Sequence, residues 1–202
     1  AGAGIEQHAD DRQVDLRPRA LRRLDVTQQT VKLGAAIDAT GLEVTPAAVV
    51  RDRAVAVAFA RDVGNASGDG IERLFTNTLD TEAHPYYREI RDLRVSAHFL
   101  VRRDGSLTQF VPCRLRAWHA GASRWRGLER CNDFSVGIEL EGCDEQPFAD
   151  AQYAALAQLV RHLRRALPVE DIVGHADIAP GRKTDPGPHF DWARLRQQLD
   201  RA

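Results

Sequence analysis

The sequence predicts one domain of the α/β or α+β class, in which a central mixed β-sheet is flanked by helices. Three observations support this fold class. β-rich runs alternate with predicted helices, and the helix between the runs 134–142 and 171–173 has apolar residues at helical spacing. The pair Asp104-Gly105 joins two further β-rich runs in the manner of a hairpin. The length of 202 residues is enough for one domain with a full core, and we expect no second one.

The first part of the chain gives the weakest structural signal. Residues 1–50 are a poorly defined N-terminal segment without a sustained hydrophobic period, and residues 51–202 are expected to form the domain. Of the three Trp, three Tyr and seven Phe residues, only Phe59 precedes Gly70. A short strand at 54–59 and a loop at 62–70 are the elements we expect there.

The middle of the chain alternates short elements with loops. Residues 71–79 predict a short helix, and residues 83–87 a turn with exposed aromatic side chains. The runs 95–102 and 107–112 are the two strands of the Asp-Gly hairpin. The segments 116–121 and 123–132 are predicted loops, and their Trp, His, Arg and Gly content is typical of a binding-site wall.

The strand predicted at residues 134–142 has two different faces. Alternation places Gly137, Glu139 and Glu141 on one face, whereas the opposite face is wholly apolar. Taken without the loop at residues 174–188, a solvated strand face is the better interpretation of the two carboxylates; with that loop, a role for Glu139 in a site becomes the alternative.

The last third of the chain predicts helix, strand, loop and helix. Asp150 is the expected cap of a long helix that ends at Pro168, and Asp191 that of a final helix at 192–199. Between them, Ile172 and Val173 predict the end of a buried strand. The long helix has apolar residues at helical spacing: Tyr153, Leu156, Val160, Leu163 and Leu167.

The loop at residues 174–188 is the best candidate for a functional site. Three prolines and three glycines give it stiffness and tight bends, and it carries His175, Lys183 and Asp185. Of the 28 lysines and arginines, only Lys32 and Lys183 are lysine. A compact ammonium whose pKa can shift has therefore been kept in this loop, which favours a chemical role for Lys183.

Metal-assisted amide hydrolysis is one chemistry that these residues could perform. His175 and Asp185 are suitable Zn²⁺ ligands, and zinc lowers the pKa of a bound water to about 7. Glu139 could transfer the proton, and Lys183 could stabilise the oxyanion of a tetrahedral intermediate. On spacing alone, an equally good interpretation is that His175 and Asp185 only form turns and hydrogen bonds.

Composition excludes several other classes. A net charge of −1 and a pI near 6.7 argue against nucleic acid as a partner. No run of about 18 apolar residues predicts a membrane span, and the N-terminus lacks the pattern of a signal peptide. The three cysteines predict neither a disulfide framework nor a cysteine zinc site. We therefore expect a soluble cytoplasmic protein, and we take it to be a monomer.

Several long motifs resemble the AmpD family of N-acetylmuramoyl-L-alanine amidases. The resemblance runs in unbroken order from about residue 71 to 199 and is specific because the motifs agree together. The motifs are Ile-Glu-Arg-Leu-Phe-Thr-Asn-Thr-Leu-Asp at 71–80, Arg-Val-Ser-Ala-His at 94–98, Arg-Ala-Trp-His-Ala-Gly at 116–121, the stretch 129–142, the loop 174–188 and Phe-Asp-Trp-Ala-Arg at 190–194.

The resemblance implies a zinc amidase with the fold of phage T7-type lysozyme amidases and peptidoglycan recognition proteins. The implied reaction cleaves the amide between the lactyl group of N-acetylmuramic acid and L-alanine in cytoplasmic 1,6-anhydro-muropeptides, a step of cell-wall recycling that also influences β-lactamase induction. The matching residues are His175 and Asp185 as zinc ligands, Glu139 and Lys183 as the catalytic pair, Arg130 for the stem-peptide carboxylate, and Arg94, Trp118 and His119 near the substrate cleft. His84 and His98 match family histidines for which a structural role is implied.

The N-terminal part departs from the family pattern. The family's third zinc ligand is a histidine followed by asparagine in a strand, and counting back from Ile71 places Val57 and Ala58 there. Three hypotheses follow. The region diverged and His8 or His98 completes the metal site; the chain binds muropeptide without cleaving it; or the first 70 residues derive from a changed reading frame.

Overall fold

The computed structural model describes the backbone of residues 29–31 and 54–61, and residues 69–143 and 146–201 together with their side chains. Eight strands lie in these ranges: β1 (Gln29–Val31), β2 (Ala54–Arg61), β3 (Phe99–Val101), β4 (Leu107–Gln109), β5 (Arg124–Trp125), β6 (Leu128–Glu129), β7 (Ser135–Gly142) and β8 (Asp171–Gly174). The α-helices are α1 (Gly70–Phe75), α2 (Pro85–Glu89), α3 (Asp150–Ala166), α4 (His175–Ile178) and α5 (Trp192–Asp200).

Six of the strands form one mixed sheet in the order β1-β4-β3-β7-β2-β8. Strands β3, β7, β2 and β8 run parallel to one another, while β4 is antiparallel to both β3 and β1. Strands β5 and β6 form a separate hairpin. The predicted fold class, a central mixed sheet flanked by helices, is confirmed.

Strand β2 lies between β7 and β8, and its register is the same toward both. Val57 is the partner of Ile138 on β7 and of Gly174 on β8. Ala58 is the partner of Glu139, whose other partner is Leu100 of β3. Strand β2 therefore lies directly beside the two strands that position the candidate site: β7, which carries Glu139, and β8, which leads into His175.

Both faces of the sheet are buried. On one face, Val136, Ile138 and Leu140 of β7 pack in a core with apolar residues of helices α3 and α5. On the other face, Leu100 belongs to a second cluster beneath α1 and α2. Glu139 is only 3% exposed, so the interpretation of its strand face as solvated is wrong.

An ion-pair network ties helix α1 to the centre of the sheet. Arg102 follows β3 and donates to both carboxylate oxygens of Glu72 on α1 and, at 3.3 Å, to Glu141 on β7. The Glu141 side chain also accepts from the backbone N–H of Arg103 at 3.0 Å. All three charged side chains of this network are largely buried.

The structure corrects several predicted elements. Residues 83–87 do not form a turn with exposed aromatics: α2 begins at Pro85, the His84 ring caps it, and Tyr87 is buried. The first helix ends at Phe75, four residues earlier than predicted. The predicted loop 123–132 contains the β5–β6 hairpin and the 3-10 turn Cys131–Asp133. The reason is that elements of two to five residues are too short to show a period.

Other predictions are confirmed, with small shifts at the ends. The Asp104-Gly105 turn joins β3 and β4. Helix α3 ends at Ala166, before Pro168, as predicted. Its N-cap is Ala149 and not Asp150, which is the first helical residue. The Ala149 N–H donates to the side-chain oxygen of Gln152. The Asp191 carboxylate caps α5 by accepting from the Arg194 N–H. All three cysteines are free.

The described ranges omit parts of the chain for which predictions were made. His8, nearly all of the segment 1–50 and most of the loop predicted at 62–70 lie outside them. None of the helices within the described residues could span a lipid bilayer.

Candidate active site

The candidate site lies where parallel strands β7 and β8 approach the loop at 174–188. Glu139 lies in the middle of β7, and His175 directly follows the last residue of β8. His175 is the first residue of helix α4, so the predicted loop begins with a helical turn. The Asp177 carboxylate caps that turn by accepting from the Gly174 N–H at 2.8 Å.

His175 and Asp185 face each other across the loop. Nδ1 of His175 is 3.0 Å from Oδ2 of Asp185, and Nε2 is 3.1 Å from the carbonyl oxygen of Ala120. Since a carbonyl oxygen can only accept, Nε2 is assigned as the donor to Ala120, and Nδ1 faces the carboxylate. A proton on Nδ1, or a cation held between Nδ1 and the carboxylate, makes this contact favourable. The pair therefore fits two ligands of a metal ion, with Ala120 orienting the histidine.

Arg182 holds the carbonyl that orients His175. Its guanidinium donates to the carbonyl oxygens of Ala120 at 2.6 Å and Ala122 at 2.8 Å, which joins the loop 174–188 to the loop that begins at residue 116. Gly121, between these acceptors, has φ +59°, and a β-carbon there would be 3.3 Å from the Arg182 guanidinium. Sequence analysis missed this role of Arg182.

Glu139 is the most perturbed carboxyl group of the site. Burial first, and the negative charge of Asp185 second, raise the pKa of Glu139 to about 8, against the lowering effect of Lys183. The carboxyl group is thus close to Asp185 and Lys183, and its pKa lies near neutrality, as proton transfer requires. The structure brings together all four predicted members of the catalytic centre: Glu139, His175, Lys183 and Asp185.

Two further histidines lie beside this group. His98 accepts from the Gly137 N–H through Nδ1 and donates to the Leu115 carbonyl through Nε2, and burial lowers its pKa to about 4. Both ring nitrogens are engaged, so the structure does not support His98 as a metal ligand. The His119 ring is 5.8 Å from that of His98 between centroids, and neither of its nitrogens has a hydrogen-bond partner among the described residues.

The environment of His119 keeps its ring neutral. Burial lowers its pKa well below the usual value, and the nearby rings of His98 and His175 add to the effect, against a small opposing contribution from the Ser135 backbone. His119 is therefore a buried, neutral imidazole near the Ser135 backbone, and neither ring nitrogen makes a hydrogen bond of good geometry to a described residue.

The other predicted substrate residues lie at the surface. Trp118 is 51% exposed, and the Arg116 guanidinium stacks 3.8 Å from its ring centroid. The Asp133 carboxylate accepts from both Arg116 and Arg130. It therefore connects Arg130 to the arginine that stacks on Trp118. Arg94 donates to the carbonyls of Arg91 and Leu93 and is exposed.

A cleft of about 530 Å³ lies between the segments 122–130 and 178–182, and none of Glu139, His175, Lys183 and Asp185 lines it. Three guanidinium groups line it, those of Arg124, Arg130 and Arg182, together with Glu129. Of the predicted substrate residues only Arg130 lines this cleft, while Arg94, Trp118 and His119 do not. The positive lining suits an anionic ligand.

The third ligand position remains without a donor. Neither Val57 nor Ala58 carries a side-chain atom that binds zinc, and within the described ranges no group of three or more His, Cys, Asp or Glu residues is arranged to hold a metal ion. The residues present fit a catalytic zinc in part: they supply two ligands where three are usual.

Comparison with known proteins places these features in a family. The sequence pattern of the N-acetylmuramoyl-L-alanine amidase family matches residues 69–188. The chain belongs to this family. Relatives of this amidase include the 1,6-anhydro-N-acetylmuramyl-L-alanine amidases AmpD of Escherichia coli, 57% identical over 135 residues (66% of this chain, 74% of the relative), and of Haemophilus influenzae, 51% identical over 130 residues (63% and 71%).

Solved structures agree with this assignment. The crystal structure of a Se-Met AmpD derivative superposes with a TM-score of 0.68 at 49% identity, covering 74% of this chain and 86% of that one. A complex of Escherichia coli AmiD with anhydro-N-acetylmuramic acid-L-Ala-D-gamma-Glu-L-Lys gives 0.53 at 35% identity, covering 71% and 56%. The predicted family and its enzyme class, hydrolases of amide bonds, are confirmed. The family match begins at residue 69, so strand β2 precedes it.

Proposed function

We propose that this amidase hydrolyses the lactyl–L-Ala amide of 1,6-anhydro-muropeptides in cell-wall recycling, in the cytoplasm and as a zinc-dependent monomer. The names of the AmpD relatives and the muropeptide bound to AmiD support the substrate class. The observation that carries the proposal is the approach of His175 Nδ1 to Asp185 Oδ2, at 3.0 Å, near a buried acid whose pKa is raised to about 8.

The roles of the residues follow from their surroundings. Glu139 takes the proton of the attacking water and returns it to the leaving amine, since its pKa of about 8 permits both transfers near neutral pH. Lys183 stabilises the negative charge that develops on the carbonyl oxygen. When bound by His175 and Asp185, zinc supplies a Lewis acid that activates water at neutral pH.

Substrate binding is assigned to the surface around the cleft. Arg130 binds the stem-peptide carboxylate, for which a guanidinium offers a matched pair of donors. Trp118, held by Arg116, offers an exposed ring face to the substrate. Arg94 lies at the edge of this surface, and His119 offers hydrogen-bonding atoms beside the catalytic centre.

A second function, muropeptide binding without cleavage, is favoured by one observation. The described residues supply only two zinc ligands, and two ligands hold the ion weakly. A site without metal would have no activated water and would act as a receptor.

Metal content and amidase activity, measured on the same dialysed sample, distinguish the two functions. The substrate is anhydro-muramyl-tripeptide, and the control variant is Glu139→Gln, which keeps the shape of the side chain but cannot transfer the proton. About one equivalent of zinc with peptide release by the wild type alone supports the amidase. Saturable muropeptide binding without zinc and without release contradicts it and supports the receptor. Light scattering after size exclusion tests the monomer.

A further inference from the structure

We infer that Asp133 is a positioning residue for substrate binding. Its carboxylate pairs with Arg130 and, through Arg116, supports the Trp118 ring, so the two proposed substrate-binding groups are fixed relative to each other. Asp133 lies in the 3-10 turn Cys131–Asp133 and is not one of the four residues of the catalytic centre. The inference rests on the proposed function, because it concerns the same substrate.

The ion pair with Asp133 orients the Arg130 guanidinium. Oδ2 of Asp133 is 3.1 Å from Nε of Arg130, so the carboxylate engages one edge of the guanidinium. The two terminal nitrogens lie at the other end, and they form the pair of parallel donors that a ligand carboxylate can bind. The Arg130 side chain is 70% exposed and is therefore accessible to such a ligand.

The backbone of Arg130 is fixed as well. Its φ of +61° lies in the left-handed region, which disfavours residues that have a side chain. Two hydrogen bonds hold it there: the Arg130 N–H donates to the Ser123 carbonyl at 2.9 Å, and the Arg130 carbonyl accepts from the Asp133 N–H at 2.8 Å. Such a conformation persists only where the surrounding structure enforces it. Asp133 therefore constrains both the backbone and the side chain of Arg130.

The same carboxylate supports the Trp118 ring. Oδ1 of Asp133 is 2.9 Å from Nη1 of Arg116, whose guanidinium lies 3.8 Å from the centroid of the indole. Arg116 thus covers one face of the ring and leaves the other to a ligand. The neighbouring Asn132 fixes this geometry, because its buried side-chain oxygen accepts from the two backbone N–H groups that follow Trp118.

Orientation explains these pairs better than stability does. Arg130 is largely exposed, and ion pairs at the surface contribute little to folding. Long side chains that are free before binding must be ordered when the ligand arrives, and this ordering weakens affinity. A carboxylate that orders both groups in advance removes that cost. For two side chains the effect corresponds to about 10-fold in Kd.

Isothermal titration with anhydro-muramyl-tripeptide tests the inference. All proteins carry Glu139→Gln, so that the ligand is not hydrolysed. We expect Asp133→Ala to raise Kd about 10-fold. Asp150→Ala is the matched control and should leave Kd unchanged. Asp150 pairs with Arg194 at 2.7 Å, and that guanidinium lies 4.4 Å from the Tyr153 ring centroid, but this similar arrangement belongs to helices α3 and α5.

A cycle of variants separates positioning from general damage. In Trp118→Ala or Arg130→Met, one of the two positioned groups is absent, so the further loss caused by Asp133→Ala should be clearly smaller than 10-fold. Circular dichroism verifies that each variant folds. If Asp133→Ala does not fold, Asp133→Asn replaces it, since asparagine keeps the size of the side chain and removes its charge.

Three results would overturn the inference and leave the proposed function standing. These are an unchanged Kd in Asp133→Ala, an equal loss in all three backgrounds, and a comparable loss in Asp150→Ala. The expected losses, without peptide release by the chain that retains Glu139, would contradict the proposed amidase function alone. Failure of the parent protein to bind the muropeptide would contradict both.

Discussion

The imidazole of His119 lies against the backbone of Gly137. A β-carbon at residue 137 would be 2.4 Å from Cγ of the ring and 2.5 Å from Cδ2, closer than non-bonded atoms can approach. Gly137 lies two residues before Glu139 on the same face of β7. Because it has no side chain, it leaves room for the His119 ring. Packing, and not a special backbone conformation, requires glycine here.

This contact predicts that Gly137→Ala destabilises the protein by about 1–3 kcal/mol, since the buried ring must move. Chemical denaturation of wild type, Gly137→Ala, His119→Ala and the double variant measures the effect as a cycle. In the His119→Ala background the same substitution should cost clearly less. An equal cost in both backgrounds would show that the ring is not the obstacle.

Glu139→Gln should change how stability depends on pH. The folded state raises the pKa of this carboxyl from 4.5 to about 8, so the folded protein holds a proton that the unfolded chain has released. This contribution to stability is complete below about pH 4.5 and is lost as the pH rises to about 8. Glutamine stays neutral, so the variant should be more stable than wild type at pH 9, by on the order of a few kcal/mol.

Urea unfolding of chelator-treated protein between pH 4.5 and 9 measures this difference. The free energy of unfolding of wild type minus that of Glu139→Gln should fall steadily over the interval. A difference that does not vary with pH would mean that Glu139 is ionised in the folded protein throughout.

Lys183→Ala should reduce kcat about 100-fold and leave KM nearly unchanged, because the ammonium acts on charge that develops in the transition state. Steady-state hydrolysis of anhydro-muramyl-tripeptide measures both constants. Lys183→Arg is the matched control: it keeps the positive charge but not the compact donor, so it should recover only part of the rate. A rise in KM at unchanged kcat would assign Lys183 to ground-state binding.

Arg102→Met should cost about 2–4 kcal/mol of stability, because Glu72 and Glu141 would remain largely buried without their common partner. Thermal and urea unfolding both report the loss. Arg73→Met is the control: Arg73 pairs with Asp69, but both side chains are more than half exposed, so the change should cost less than about 0.5 kcal/mol. Equal effects of the two substitutions would refute a special role for the Arg102 network.

Regular elements of the fold were predictable from the sequence where a period or a turn signal extends over enough residues. Alternation in β7, helical spacing in α3 and the Asp-Gly turn between β3 and β4 are such signals. The β5–β6 hairpin gave none, because its strands have two residues each and its turn uses Arg126 at φ +46°. Propensities do not anticipate a non-glycine residue in the left-handed region.

The residue types of the candidate site were predictable, but their environment was not. His175, Lys183 and Asp185 share one loop, so their proximity follows from the sequence. The burial of Glu139 depends on strands and helices distant in the chain, and the clamp from Arg182 to the Ala120 carbonyl spans 62 residues.

The anchoring of the β5–β6 hairpin has a consequence for how the enzyme would move. Asp171, the first residue of β8, accepts from the Trp125 indole and from Arg126, both at 2.9 Å, so the hairpin is fastened to one end of that strand. The other end leads into His175, and Arg130 directly follows the hairpin. The hairpin that precedes Arg130 and the helix α4 that begins with His175 are thus attached to opposite ends of one four-residue strand. A tilt of β8 would move both together, so the distance between the proposed carboxylate-binding residue Arg130 and the proposed metal ligand His175 would be kept.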